Sequence, residues 1–299
     1  MRSALLIANK AAGSSDQASI QAAVERLEHE GVGLEVAATE DPADLDVALD
    51  RRGTRDVIVV GGDGSLHAVV AALAGRQELD QLTLGLIPLG TGNDFARSVG
   101  VPLEPTAAAV VCASGAAHAL DIIVDDEGGI VVNAANLGIG AEASRHASDL
   151  KPRLGRVAYP IGALAAGVST KGLRLRVEAD GVVVADGSAR VLQVGVGNGP
   201  FVGGGTPLTP RARPSDGQID VVVSFAVGPL RRLAYAIQVK LGRHLDRRDV
   251  LWVRAKAVRV SGEEYWCSSD GEQSGPLTDR TWSVLPRALR MALPSESDI

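Results

Sequence analysis

Val57-Ile58-Val59-Val60-Gly61-Gly62-Asp63-Gly64-Ser65-Leu66 passes from an apolar run into a glycine-rich turn and then into a helical pattern. A second turn of this kind, Leu89-Gly90-Thr91-Gly92-Asn93-Asp94, follows the apolar run Leu82 to Pro88. Glycines let backbone N–H groups approach an anion closely, and the N-terminal end of a helix adds partial positive charge. The two turns together predict a nucleotide triphosphate that is held from two sides.

Apolar runs alternate with helical patterns throughout the first part of the chain, from Ala4 to Pro88. This alternation is typical of a parallel, doubly wound sheet. In such sheets ligands bind at the carboxyl ends of the strands. Loops at that edge are predicted at Asn9 to Ser15, Thr39 to Asp41, Gly61 to Ser65 and Leu89 to Asp94.

The pattern changes after about Ala119, where runs with a period of two residues indicate an antiparallel β-rich domain. The pairs Asp180-Gly181 and Asp186-Gly187 are both typical of hairpin turns. A helix is predicted from Pro229 to about Leu241, and Trp282 to Leu293 is interpreted as a strand and helix returning to the first domain.

These patterns predict an α/β plus β fold. We expect a three-layer parallel α/β nucleotide-binding domain at 1–120 and an antiparallel β-sandwich-like domain at 121–284, with the active site in the cleft between them. A C-terminal segment at 285–299 is expected to return to the first domain.

Composition excludes several classes of protein. The formal net charge is -6, so no overall cationic field favours nucleic acid as a partner. The two cysteines have no metal-ligand spacing, and no secretion signal is evident at the start. The longest candidate span, Ile161 to Val168, is far short of the roughly 20 residues that cross a bilayer. A cytoplasmic protein with at most peripheral membrane contact is expected.

Several further motifs occur in a characteristic order and carry a family resemblance. They are Pro88 to Ala96, Asn136-Leu137-Gly138, Gly203-Gly204-Gly205, Pro214-Ser215-Asp216-Gly217 and Asp270-Gly271-Glu272. With Gly61 to Ser65, they resemble bacterial soluble diacylglycerol kinases and related lipid kinases, which are similar to sphingosine kinases and more distantly to NAD kinases. The resemblance implies ATP-dependent phosphoryl transfer to the hydroxyl group of a lipid. Diacylglycerol is the acceptor that we expect first. A sphingoid base, another lipid alcohol or NAD are alternative acceptors.

The nucleotide contacts expected from the turns and the resemblance lie at the four predicted loops and, for His67, in the helix that follows the third loop. They are Asn9, Gly13, Thr39, Gly61, Gly62, Asp63, Gly64, Ser65, His67, Gly90, Thr91, Gly92, Asn93 and Asp94. Thr91 can reach a phosphate or cap the next helix. Two segments depart from the family pattern: Asn9 to Gly13 lacks a proline and a serine, and His67-Ala68 replaces a common Asn-Glu. These departures also leave open a binding protein without turnover.

Acidic residues are the candidates for catalysis. The resemblance implies that Glu272 accepts the proton of the lipid hydroxyl and that Asp270 orients water or metal. Asp63 either orients its loop or acts through magnesium-bound water. A Mg²⁺ site is implied at Asp216, with the carbonyl groups of Gln218 and Arg213 as further ligands. The alternative for the Asp270 segment is a hairpin with exposed acids.

Two weaker features concern partners. Positive charge is concentrated around the predicted helix at 229–241, where it could contact anionic headgroups or simply form a solvated helix face. The residues are Arg231, Arg232, Lys240, Arg243, Arg247 and Arg248. An exposed edge strand in either domain could pair two subunits in a homodimer.

Overall fold

The computed structural model describes residues 1–9, 14–138 and 171–295. The chain forms two compact units, the first from Met1–Ile122 with Pro286–Ile299 and the second from Ile123–Leu285. The predicted contact residue Gly13 and the apolar run 161–168 lie outside the described residues.

The first unit alternates strands and helices. In chain order these are β1 Ser3–Asn9, α1 Ser14–His29, β2 Gly33–Thr39, α2 Pro42–Asp50, β3 Asp56–Gly61, α3 Asp63–Gly75, β4 Leu84–Pro88, α4 Asp94–Ser98, α5 Pro105–Ser114 and β5 Ala116–Asp125, the last of which continues into the second unit. Local signals begin two of the helices. The Asp41 carboxylate accepts a hydrogen bond from the Asp44 N–H at 2.9 Å, and Glu104 caps α5 in the same way.

The central sheet of this unit is parallel, and its strands follow the order β2, β1, β3, β4. Strands β1, β3 and β4 are almost continuously buried. α1 packs with α5, and α2 packs with α3, so helices cover both faces of the sheet. The strand order reverses between β1 and β3, which is the position where open α/β sheets bind ligands.

The second unit is built mainly from antiparallel strands. They are β6 Ile130–Val131, β7 Ala134–Gly138, β8 Leu173–Ala179, β9 Val182–Val191, β10 Gln193–Gly197, β11 Ile219–Ser224, β12 Val250–Ala255, β13 Ala257–Ser269 and β14 Glu272–Leu293, and the helix α6 spans Pro229–Lys240. Residues 286–293 of β14 belong to the first unit.

Strand β13 joins the two layers of the second unit. Its residues Cys267 to Ser269 pair with β7, which continues through β10 and β11 to β12, whereas Val258 to Gly262 pair with β8. Gly262 has φ +143, and a Cβ there would lie 3.1 Å from the Cα of Leu175, so glycine allows the close approach. The core between the layers contains side chains from β7 to β11 and from β13.

The predicted fold class is confirmed, with two local corrections. Trp282 to Leu293 contains no helix, because these residues continue β14, which pairs with β13 and then in parallel with β4. Asp186-Gly187 is not a hairpin turn. It lies inside β9, where the register against β8 shifts, and Gly187 has φ +82 at this bulge. None of the described helices is long and apolar enough to cross a membrane.

The burial of His244 predicts a pH-dependent contribution to stability. The ring is fully buried, and Nε2 lies 2.9 Å from the Leu208 carbonyl oxygen. Burial lowers the pKa of His244, so the folded protein binds fewer protons there than the unfolded chain. We expect the free energy of unfolding to fall as the pH drops from about 7.5 to 5.5. His244→Gln retains a donor for Leu208 and should show a shallower fall in urea titrations. Equal slopes would mean that His244 does not cause the dependence.

Candidate functional site

The turn after β3 leaves three backbone donors at the start of α3. Gly62 precedes the helix, and the first helical hydrogen bond runs from the Leu66 N–H to the Gly62 carbonyl oxygen at 3.1 Å. The N–H groups of Asp63, Gly64 and Ser65 therefore have no carbonyl partner within the helix. Gly64 is exposed, and a Cβ added there would meet nothing within 4 Å. An anion can approach this helix terminus closely.

The two glycine turns touch each other through their backbones. A Cβ on Gly62 would lie 2.9 Å from the Cα of Gly90. The Leu89 N–H donates to the Gly61 carbonyl oxygen at 3.0 Å. Positions 62 and 90 therefore both require glycine. The two turns form one continuous edge at the carboxyl ends of β3 and β4.

The Asn93 side chain shapes the second turn. Its Oδ1 accepts from the Gly90 N–H at 3.0 Å, and its Nδ2 donates to the Gly90 carbonyl oxygen at 2.8 Å. Asn93 is buried, has φ +52 and precedes α4. Because the polar groups of Gly90 are paired in this way, the loop presents the exposed Thr91 and its neighbour Gly92 to a ligand. Asp94 is buried beneath them.

Asp63 connects the starts of the two helices. Its Oδ1 accepts from the N–H of Phe95 in α4 at 3.0 Å. Of the two roles predicted for Asp63, this contact favours the orientation of the loop. Phe95 is itself fully buried, so the contact anchors the second turn to the core.

A cleft of about 520 Å³ opens beside the first turn. Asn9 at the end of β1 and Thr39 at the end of β2 line it together with Gly64, Ser65 and Ala68 of α3. Clefts of roughly 300 to 1,000 Å³ commonly hold small ligands. The predicted contacts Asn9, Thr39, Gly64 and Ser65 are thus brought together. Among the described residues, His67 does not line this cleft.

The acidic segment of the second unit is a hairpin with two distinct carboxylates. Asp270 and Gly271 form the two-residue turn between β13 and β14, with φ +50 and +98. The Asp270 Oδ2 accepts from the Val132 N–H at 2.6 Å, and Oδ1 accepts from the next two N–H groups at 2.9 and 3.0 Å. Asp270 therefore fixes the chain before β7. Glu272 is exposed as the first residue of β14.

The predicted metal residues lie beside an arginine. The Asp216 Oδ2 is ion-paired with the Arg254 Nη2, and its Oδ1 accepts from the Gln218 N–H at 3.1 Å. The Arg213 carbonyl oxygen accepts from the Ser215 N–H at 2.7 Å. Among the described residues, no cluster of three or more His, Cys, Asp or Glu side chains is placed to hold a metal ion.

Sequence reasoning missed Asp220, which neighbours this group. It is fully buried in β11, and burial raises the pKa of its carboxyl group. Oδ1 accepts from the Trp252 Nε1–H at 2.5 Å. Oδ2 lies 3.8 Å from the Arg254 Nε and has no hydrogen-bond partner among the described residues. The available signal was one acidic residue within the apolar strand Ile219–Ser224.

Two protein-family models match this chain. The Diacylglycerol kinase catalytic domain family matches residues 3–124, and the YegS C-terminal NAD kinase beta sandwich-like domain family matches residues 133–293. A Xanthomonas oryzae pv. oryzae protein named "Probable lipid kinase YegS-like" is 33% identical over 307 residues, which cover 95% of this chain and 94% of that protein.

Two further relatives extend the comparison. A Mycobacterium tuberculosis protein named "Diacylglycerol kinase" is 31% identical, with 91% of this chain and 88% of that protein covered. A crystal structure of a diacylglycerol kinase from Bacillus anthracis covers 100% of this chain and 99% of its own with a TM-score of 0.78; at 24% identity it supports the fold. The family models and the named relatives are those of kinases. The chain belongs to the lipid kinase family that includes diacylglycerol kinase-like proteins.

The contact between the turns predicts different effects for two glycine substitutions. In Gly90→Ala the new methyl group meets Gly62 and Asn93, and such overpacking costs typically about 1–3 kcal/mol. In Gly64→Ala the methyl group meets no described atom within 4 Å outside its own helix, and it takes up space beside the N–H donors at the start of α3. We expect Gly90→Ala to lower both the free energy of unfolding and the affinity for a phosphate-bearing ligand, tested with ATP, and Gly64→Ala to lower that affinity without lowering the free energy of unfolding. Urea unfolding and calorimetric titration measure these effects; equal stability of the two variants would contradict the tight contact.

Proposed function

We propose that this protein transfers the γ-phosphate of ATP to the hydroxyl group of diacylglycerol and so forms phosphatidic acid. The observation that carries the proposal is the start of α3, where the N–H groups of Asp63, Gly64 and Ser65 open beside the second glycine turn and a cleft of about 520 Å³. The names of the relatives support a lipid acceptor.

The phosphate groups would bind the N–H groups of Gly64 and Ser65 and the Ser65 hydroxyl, with Thr91 and Gly92 on the other side. The rest of the nucleotide would occupy the cleft, where Asn9 and Thr39 offer polar side chains at the strand ends. These donors are fixed by the scaffold before ATP arrives. Phosphoryl transfer depends mainly on such positioning and charge stabilisation.

In the proposed reaction the oxygen atom of the lipid hydroxyl forms a bond to the γ-phosphorus. The bond between that phosphorus and the bridging oxygen breaks, and ADP leaves with the electron pair. Glu272 takes the hydroxyl proton as the general base. The exposure of Glu272 at the start of β14 leaves its carboxylate accessible to an acceptor. Asp270 acts as a positioning residue, since its carboxylate holds three backbone N–H groups.

The residues around Asp216 fit a Mg²⁺ ion by the chemistry of their donors. Carboxylate and carbonyl oxygens are the ligands that Mg²⁺ prefers. Within the described part of the chain, the buried Asp220 Oδ2 has no hydrogen-bond partner, and the Arg254 Nε lies 3.8 Å from it. Asp216 would hold the ion with the carbonyl oxygens of Arg213 and Gln218. The positive charge of a bound ion would stabilise the loop at 213–218 by its attraction to these oxygen atoms. Arg254 competes for the same carboxylate.

The assignment of the base predicts that Glu272→Gln abolishes phosphoryl transfer while ATP binding and stability are retained. A loss of roughly 100-fold or more is expected for removal of a general base. Glu264→Gln is the matched control, because Glu264 is also an exposed glutamate of this unit, on β13. Asp270→Asn should lower the unfolding temperature together with activity. The measurement is transfer of radiolabelled γ-phosphate to diacylglycerol dispersed in detergent.

Each outcome of that assay bears on the proposal. Full activity of Glu272→Gln would show that Glu272 is not the base. Transfer to a sphingoid base, another lipid alcohol or NAD, but not to diacylglycerol, would reassign the acceptor. ATP binding without transfer to any acceptor would favour a binding protein.

The competition at Asp216 predicts a Mg²⁺-dependent rescue of stability. Arg254→Gln removes the cation that faces Asp216 and Asp220, so the variant should unfold at a lower temperature in the presence of a chelator. Millimolar Mg²⁺ should restore the unfolding temperature of Arg254→Gln and change that of the parent protein much less. Arg259→Gln is the control, because Arg259 pairs with Asp279 at the surface. Failure of Mg²⁺ to stabilise Arg254→Gln would argue against the site.

A further inference from the structure

Helix α6 has two opposite apolar faces. Tyr235 and Val239 are buried on one side, where they pack against Leu192, Val222 and Val250. The other side presents Leu230, Leu233, Ile237 and Leu241, which are 83%, 62%, 53% and 63% exposed. Their spacing of three, four and four residues places them in one stripe along the helix.

This stripe is unusual for a helix at a protein surface. Such helices normally turn their apolar side toward the core and their polar side toward water. Here the core contact is already made by Tyr235 and Val239, so the four exposed side chains add nothing to the interior of the unit. Contiguous exposed apolar patches mark interaction sites, whereas single exposed leucines need no explanation.

The charge around the stripe differs in sign from that of the whole chain. Residues 229–249 contain six basic and two acidic residues, a formal charge of +4, whereas the chain carries -6. Arg231, Lys240, Arg243 and Arg248 are exposed. Arg247 forms an ion pair with Asp249, with 2.7 Å between the Arg247 Nε and the Asp249 Oδ1. An exposed apolar stripe bordered by basic side chains is the pattern of a helix that lies in a membrane interface.

We propose that α6 docks on the surface of a lipid bilayer that contains anionic phospholipids. Leu230, Leu233, Ile237 and Leu241 enter the boundary between headgroups and acyl chains, and the neighbouring basic residues contact the phosphates. A symmetric contact between two copies of α6 would bring its basic residues against each other, so charge favours the bilayer over a second copy. This proposal rests on the proposed function in one respect, which is that a bilayer would supply the lipid acceptor.

The direct test measures vesicle binding without ATP. The protein is sedimented with vesicles of phosphatidylglycerol and phosphatidylcholine, and with vesicles of phosphatidylcholine alone. We expect binding to the anionic vesicles that weakens at high salt. Leu233→Glu/Ile237→Glu should reduce the partition coefficient about tenfold or more, because two carboxylates enter the apolar stripe. Val182→Glu is the control, since Val182 is 68% exposed in the same unit but outside α6.

A second variant keeps the stripe and reverses two charges. Lys240→Glu/Arg243→Glu should lose binding to anionic vesicles and show little remaining salt dependence. Both variants are compared with the parent protein by circular dichroism and thermal unfolding. Unchanged vesicle binding by the two double variants, or no binding by the parent protein, would overturn the proposal.

Two further measurements separate this proposal from its alternatives. Phosphoryl transfer to a short-chain, water-soluble diacylglycerol should be the same in the parent protein and in Leu233→Glu/Ile237→Glu. If the parent protein binds vesicles but transfers phosphate to no acceptor, the proposed function fails while the docking surface stands. If gel filtration shows a dimer that Leu233→Glu/Ile237→Glu dissociates, and vesicle binding is unchanged, α6 is instead a contact between copies of this chain.

Discussion

The candidate phosphate site depends on the close approach of two backbones at Gly62 and Gly90. β3 and β4 are adjacent and parallel, with Gly61 opposite Pro88, so their loops leave the sheet at the same level. A side chain at Gly62 or at Gly90 would push the two loops apart. The contact fixes the start of α3 and its N–H groups in one position relative to the second turn. A site with fixed donors does not need to reorganise when charge develops on a bound phosphate.

Aspartates hold backbone segments at several of the Asp-Gly pairs. Asp63 accepts from the Phe95 N–H, and Asp180 accepts from the N–H groups of Lys256 and Ala257. Asp270 accepts from three successive N–H groups at the start of β7 and just before it. In each case the carboxylate accepts from a chain segment that is distant in sequence. The acidic residues of these motifs are therefore of two kinds. Some hold a backbone segment in place, and others have an exposed carboxylate. By this criterion Glu272 differs from Asp270, because it is exposed.

The alternation of strands and helices, the parallel sheet and the antiparallel second unit follow from local periodicity, and the sequence could predict them. Long-range pairing could not be read in the same way. Asp180-Gly181 and Asp186-Gly187 have the same local pattern, but only the register against β8 makes one a hairpin and the other a bulge. Asn93 occurs in a recognisable motif, yet its use in bonding Gly90 depends on a left-handed backbone at φ +52. In α6 the pattern predicts a helix, but which apolar face is buried is decided by the β11 and β12 strands beneath it.

The buried carboxyl group of Asp220 connects two features of the second unit that are separate in the sequence. Trp252 donates its indole N–H to Asp220, is contacted by the Arg211 guanidinium 4.6 Å from its ring centroid, and packs against the cluster beneath α6. Arg254 of the same strand pairs with Asp216. The loop that would hold a cation and the helix with the exposed apolar stripe therefore rest on one strand, β12. Because a buried carboxylate is costly unless a positive charge compensates it, the pairing around Asp216 and Asp220 also determines how firmly that strand is held. The support of α6 thus shares a strand with the ion pair between Arg254 and Asp216.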